Sequence, residues 1–335
     1  MKNISVGISG TGSYVPDEIL TNDDLSKMVE TSHEWIVSRT GIEERRIAPK
    51  NMASSDLCTE AAKRALEDAN LKAEDIDLII VATVTPDYSF PSTACIVQKN
   101  IGASKAAAFD LNAGCTGFVY GLATGANFIK SGVYEKVLII GGETFSRIMN
   151  WEDRNTCVLF GDGAGACVLE RCEEGYGILA YELGSDGTNH ESLIQPGGGS
   201  RQPASVDSLA NNLHYLHMDG KEVFKFAVRA MERSSMKALE LANMDIDELD
   251  FLVPHQANIR IIDSARKKLN LSEEKVCVNL NKYGNMSSAS IPVALDEAIK
   301  DNKIKKGDSV LLVAFGSGLT WGSIILRWNK EEKNV

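Results

Sequence analysis

At 335 residues the chain is about twice a typical ~150-residue domain, so two domains or one duplicated core is the expectation. Hydrophobic residues at 44% and charged residues at 24% are ordinary globular values, which exclude a disordered or collagen-like chain. With 35 basic against 46 acidic side chains the net charge is −11, which argues against nucleic acid or an anionic membrane as the main partner.

The N-terminal MKNISVGISGTG has no apolar signal core and reads as a first strand. A good amphipathic helix follows over 54–71, with Ser54 or Ser55 as its cap. The run LIIVATV (78–84) is a buried strand, far shorter than the ~20 apolar residues of a membrane span. Next come a strand ending near Leu111, a helix beginning near Thr116, and the apolar strand KVLIIGGE (136–143). The glycines of GTGSYVP (10–16) and GDGAGA (161–166) tempt toward a nucleotide fold. The first lacks a third glycine and the second runs into the strand CVLE, so no helix N-terminus awaits a pyrophosphate. They read as hairpin and turn glycines. Residues 195–212, with three consecutive glycines, look like a surface loop, and 220–243 like a second amphipathic helix.

The chain repeats itself once, weakly. AEDIDLIIVATV (73–84) has the form of IDELDFLVPHQ (246–256), and AAAFDLNAGCTGFVYGLATGANFIK (106–130) that of VCVNLNKYGNMSSASIPVALDEAIK (276–300), both reading as a strand, a tight glycine-containing turn and a helix rich in small residues. KVLIIGGE parallels DSVLLVAFG (308–316). The period, about 170 residues, is far beyond that of solenoids. Two similar half-domains follow, 1–174 and 175–335, each an α/β unit with mainly parallel mixed sheets packed in layers with helices.

Cys115 is the sharpest chemical signal. It lies in DLNAGCTGF between a strand and a helix, where the helix N-terminus favours a thiolate and backbone amides can face an oxyanion. The other reading, one small buried hydrophobe among seven cysteines, stays open on local pattern. An odd, scattered set of cysteines suits free thiols in a reducing cytosol, and a cytoplasmic location is expected. His214 and His217 read as a solvated pair, without a third metal ligand nearby. His255 follows the buried strand DFLV, and strand ends in open α/β sheets are where ligands bind. The repeat sets Asn285 at the turn equivalent to that of Cys115. If the halves are related by a pseudo-two-fold, Cys115, His255 and Asn285 converge. Lys221, Lys225 and Arg229 share one helical face, and Arg260, Arg266, Lys267 and Lys268 lie after His255. On an acidic chain these clusters suggest an acidic or phosphate-bearing partner, against the plainer reading of a solvated helix face.

These residues resemble the β-ketoacyl-[acyl-carrier-protein] synthase III family, the condensing enzymes that initiate type II fatty-acid synthesis on the thiolase fold. The resemblance runs through EWIVSRTGIEERRI (34–47), NAGCTGF, GDGAGA, EVFKFAV (222–228), VPHQANIRII (253–262), YGNMSSASIP (283–292) and AFGSGLTWGS (314–323). It implies that Cys115 accepts the acyl group and that His255 and Asn285 stabilise the enolate formed on decarboxylation. It makes the backbone amides of Cys115 and Ser317 the oxyanion hole, Ser317 standing where many relatives have glycine. It gives Trp35, Arg39 and Arg154 to the adenine and phosphate end of coenzyme A, Gly220 and Asn258 to the pantetheine tunnel, and Phe224 to its mouth. Lys225, Arg260, Lys267 and Lys268 match the surface that receives the acyl carrier protein. Phe90, in YSFPSTAC, matches a residue reaching across a homodimer interface into the partner's acyl pocket. No metal or redox cofactor is implied, and acyl-coenzyme A and malonyl-[acyl-carrier-protein] are the implied substrates. A related enzyme of secondary metabolism, a cysteine hydrolase or thioesterase, and a non-catalytic partner subunit are the competing readings. The acyl primer is left open between acetyl, propionyl and branched chains.

Overall fold

The computed structural model describes residues 4–331. Strands β1 (Val6–Tyr14), β2 (Leu78–Ala82), β3 (Ala107–Leu111), β4 (Val137–Thr144) and β5 (Asp162–Arg171) form one sheet in the order β1-β5-β4-β2-β3. Strands β6 (Gly177–Ser185), β7 (Phe251–Pro254), β8 (Ser309–Gly316) and β9 (Thr320–Arg327) form a second, in the order β7-β8-β9-β6. β4 and β8, each buried along its whole length, are the continuous apolar runs of the sequence, as strands covered on both faces must be.

Six helices complete the frame used below: α1 (His33–Thr40), α2 (Ser54–Ala69), α3 (Gly117–Lys130), α4 (Gly220–Ala242), α5 (Ile259–Lys268) and α6 (Ser290–Lys300). Helices α3 and α6 lie between the sheets, α2 covers the outer face of the first and α4 that of the second. The result is five layers, α-β-α-β-α. The central core joins both sheets: Ile80, Ile139 and Leu169 of the first meet Phe118 and Leu122 of α3, Leu295 of α6, and Val253, Leu312 and Ile324 of the second. Burial of this size is the main term holding the layers together.

The structure departs from the sequence reading in four places. The two large sheets have three parallel and four antiparallel pairings, so their parallel share is smaller than strand–helix alternation suggests. The first residue of α2 is Ser54, but the cap is Ala53, whose N–H donates to Asp56. Ser55 instead takes the Asp87 carboxylate, which accepts from both its N–H and its hydroxyl. The 276–279 segment is no strand; Val276 makes an isolated bridge to Leu252. The glycines of GTGSYVP and GDGAGA lie mostly within β1 and β5, not in turns. They are where helices press on the sheet: a Cβ on Gly10 would stand 2.3 Å from the Ala65 carbonyl of α2, and one on Gly165 2.7 Å from Pro292 of α6. Residues 195–212 are irregular apart from the short helix Val206–Ala210. Among the described residues no helix is long and apolar enough to cross a membrane.

Candidate active site

Cys115 sits in a single 3-10 turn, Gly114–Thr116, that feeds directly into α3. Asn285 precedes an equivalent turn, Ser287–Ala289, that feeds into α6. The two turns pack against each other where the two central helices begin. His255 follows β7, its N–H continuing the pairing to Val313 O at 2.8 Å. Fully buried Gln256 clamps that strand end: its Nε2 donates to Pro254 O and Cys277 O, and its Oε1 accepts from Asn279 N. The three residues come from 170 positions of chain and line one cavity of about 90 Å³, together with Gly220, Phe224 and Asn258.

Cys115 also lines a second cavity, of about 350 Å³, whose walls include Val84, Phe145, Ile148, Phe160, Leu193 and Leu216. Phe145 and Phe160 stack there at 4.7 Å. The sulfur therefore stands at a junction: a narrow passage with His255 and Asn285 on one side, a mostly apolar chamber on the other. Gly114, at φ +57°, and Gly316 bring two backbone segments together behind it. A Cβ on Gly316 would lie 2.5 Å from Cys115 N, and one on Gly114 2.8 Å from Ser317 N. Only glycine permits this approach, which sets the two amides side by side. Thr320 stitches the arrangement, its hydroxyl reaching Ala113 O, Ser317 O and the Thr116 hydroxyl.

The electrostatics follow from burial. Desolvation pushes the Cys115 thiol up to about 12, a nearby Ser287 hydroxyl pulls the other way, and the Glu143 carboxylate adds to the rise. The helix N-terminus thus does not leave a standing thiolate, contrary to the expectation from its position alone. Burial likewise lowers His255 to about 3, so the imidazole is neutral at any working pH. Among the described residues both its ring nitrogens lack a partner, and Phe315 holds the ring edge-on at 5.4 Å. Asn285 is fixed differently. Its Oδ1 accepts from Ser287 N at 2.8 Å, which directs the opposite, amide N–H end away from that contact. Its backbone is tied to Leu159 O and Gly161 N.

Trp35 and Arg39 of α1 meet Arg154, which comes from a distant turn. Both guanidinium groups lie against the indole, at 4.4 and 4.8 Å from its ring centre. Asn258 caps α5 and also donates to Arg39 O, linking this cluster to the passage. Lys225, Arg260, Lys267 and Lys268 are exposed. Lys225 pairs with Glu222 and Lys268 with Glu232, while Arg260 donates to Ser38 O. The cationic face is thus partly neutralised. Phe90, 85% exposed, and Tyr88, 62% exposed, project from the loop before Pro91 and are not brought to Cys115 within this chain. Among the described residues no group of three or more His, Cys, Asp or Glu could hold a metal ion. Sequence reading missed Ser287, Glu143 and Thr320. The run NMSSAS contained the first, yet nothing in its spacing said which hydroxyl would be buried beside the thiol.

Comparison with known proteins agrees with the layout. The sequence profile described as 3-Oxoacyl-[acyl-carrier-protein (ACP)] synthase III matches residues 109–187, and its C-terminal counterpart matches 239–328. The chain is 60% identical over 329 residues to a beta-ketoacyl-[acyl-carrier-protein] synthase III of Caldanaerobacter subterraneus subsp. tengcongensis, covering 98% of this chain and 99% of that one. The enzyme of the same name from Clostridioides difficile is 55% identical over 326 residues, covering 97% and 99%. The crystal structure of 3-oxoacyl-[acyl-carrier-protein] synthase III from Aquifex aeolicus VF5 superposes with a TM-score of 0.89 at 49% identity, covering 96% of this chain and 100% of that one. With the thiolase-like layers and these relatives along nearly its whole length, the chain belongs to the beta-ketoacyl-[acyl-carrier-protein] synthase III family of condensing acyltransferases.

Proposed function

We propose that this protein catalyses the decarboxylative condensation of a short acyl-coenzyme A with malonyl-[acyl-carrier-protein] through an acyl group carried on Cys115. The observation that carries the reading is the single cavity lined by Cys115, His255 and Asn285, with a larger apolar chamber opening beside the sulfur. In the first half-reaction Cys115 sulfur attacks the thioester carbonyl, and the amides of Cys115 and Ser317 receive the oxyanion. Because burial keeps the thiol protonated, proton loss accompanies attack instead of preceding it. The neutral His255 ring has one nitrogen able to accept that proton, which leaves finally on the coenzyme A sulfur. In the second, the malonyl group loses carbon dioxide, and the bond's electron pair becomes the enolate. A neutral imidazole donates one N–H and Asn285 its amide N–H to the enolate oxygen. The enolate carbon attacks the acyl-cysteine, the C–S bond breaks, and the Cys115 sulfur takes up a proton. The departing carboxylate supplies the electrons, so the chemistry calls for no metal or redox cofactor.

Trp35, Arg39 and Arg154 are proposed to hold the adenine and phosphate end of coenzyme A. Gly220, Asn258 and Phe224 line the pantetheine passage. Lys225, Arg260, Lys267 and Lys268 receive the carrier protein. Exposed Phe90 is proposed to enter the acyl chamber of a second copy in a homodimer, since an aromatic ring 85% exposed on one chain is favourably covered by another. The test is mass spectrometry after mixing with acetyl-coenzyme A. One acyl adduct is expected on the Cys115 peptide and none with Cys115→Ala; an adduct on Cys58 or Cys95 instead overturns the reading.

A further inference from the structure

The turn after Asn285 holds a residue that the mechanism above leaves without a task. Ser287 is 1% exposed and sits at φ +47°, a left-handed conformation that a residue with a Cβ adopts at a cost. Its backbone N–H is used, donating to Asn285 Oδ1 at 2.8 Å. Its hydroxyl is not: Ser287 Oγ is buried with no hydrogen-bond partner among the described residues. A strained backbone and an unsatisfied hydroxyl both oppose folding, and glycine would relieve both.

The turn cannot simply relax. Ser288 Oγ donates to Ala82 O and to Glu143 Oε1, each at 2.8 Å. The Ser288 carbonyl lies so close to β4 that a Cβ on Gly141 would stand 2.2 Å from it. Ser287 is therefore held rigidly on the wall of the larger cavity, which Cys115 and Ser317 also line. The groups facing the sulfur are few. Glu143, fully buried in β4, opposes a negative sulfur, His255 is neutral, and the Ser287 hydroxyl favours the thiolate.

We propose that Ser287 is a further catalytic residue, whose hydroxyl is kept unpartnered beside Cys115 so that it donates a hydrogen bond to the sulfur as the thiol proton leaves. Ser287 transfers no proton itself; the thiol proton still ends on the coenzyme A sulfur. A neutral thiol is a weak acceptor and leaves the hydroxyl idle, whereas a thiolate draws it in. The cost of the strained, unpaired serine is thus recovered only during attack. The inference rests on Cys115 being the nucleophile.

Ser287→Gly and Ser287→Ala test it, since both retain the N–H that holds Asn285. Three quantities are followed: acylation of the Cys115 peptide by acetyl-coenzyme A, its carboxamidomethylation by iodoacetamide from pH 6 to 9, and decarboxylation of malonyl-[acyl-carrier-protein]. Both variants are expected to lose roughly ten- to hundredfold in the two thiol reactions, as one hydrogen bond to a charged sulfur implies, with parallel pH profiles displaced downward. Decarboxylation should fall by less, and the Tm of Ser287→Gly should equal or exceed that of the wild type. Wild-type thiol reactivity in both variants overturns the proposal, as does an equal fall in decarboxylation, which would mean a turn that has merely collapsed. Failure of the underlying reading looks different: the wild type itself would carry no acyl group on Cys115.

Discussion

His255 and Cys115 are both buried, and burial acts on them in opposite chemical senses with one outcome: each is held neutral. For the histidine this fixes the sign of the pH response. Its folded pKa of about 3 lies below the ordinary 6.5, so between those values the unfolded chain binds a proton that the folded one refuses. The corresponding stability is complete above pH 6.5 and is lost as pH falls toward 3, at up to about 1.4 kcal/mol per pH unit. Decarboxylation of malonyl-[acyl-carrier-protein] should therefore be flat through pH 6.5, with no step at the pKa of a free imidazole. His255→Gln should lose less stability than wild type between pH 7.5 and 5 in urea unfolding. A decarboxylation step near 6.5 would mean that the ring titrates in the folded protein and that the site is wetter than the structure shows. His255→Ala and Asn285→Ala should each cut decarboxylation roughly a hundredfold, the scale of losing one oxyanion donor; acylation should fall much less in Asn285→Ala, and in His255→Ala it should fall as well, because the ring also accepts the thiol proton.

At the scale of elements the site depends on two close approaches that a single methyl group would block. β8 ends at Gly316 against the turn that carries Cys115, and a side chain there would meet Cys115 N at 2.5 Å and its Cβ at 3.2 Å. Gly316→Ala has backbone, not a flexible side chain, in its way. It should destabilise the protein by about 1–3 kcal/mol, as overpacking does. It should also slow acylation more than decarboxylation, because it moves the amide pair and leaves His255 and Asn285 in place. Thermal unfolding together with the two partial rates checks this; equal loss in both would show that the turn supports all three residues alike. The strand and helix cores were legible because apolar runs and amphipathic periods report local burial. The cap of α2 and the loss of a strand at 276–279 were not, since Asp87 and the neighbours of Val276 come from elsewhere in the chain.

Across the whole molecule a net charge of −11 coexists with a face carrying Lys225, Arg260, Lys267 and Lys268. Two of the four are neutralised locally, by Glu222 and Glu232. Among the described residues Arg260 and Lys267 have no ion-paired carboxylate, so they carry most of the outward field. Exposed charges of this kind act on encounter and are screened beyond about 8 Å at physiological ionic strength. Reversal of both to Glu should raise the apparent KM for malonyl-[acyl-carrier-protein] and flatten its salt dependence, whereas Lys225→Glu should do less. Steady-state kinetics at low and high salt measure both, and unchanged carrier kinetics in the double reversal would reduce these residues to ordinary solvated charges.

Apolar periodicity, a repeat near 170 residues and the short motifs around Cys115, His255 and Asn285 determined the α/β class and the candidate triad from sequence alone, because each is read from the order of residues along the chain. The order and sense of the strands, the junction of two cavities at one sulfur, and the neutrality of thiol and imidazole were decided only by tertiary structure. Each depends on what distant segments exclude from the space around a residue. Desolvation is the clearest case: a helix N-terminus read locally promises a thiolate, and the layers folded over it withhold the water that a thiolate would need.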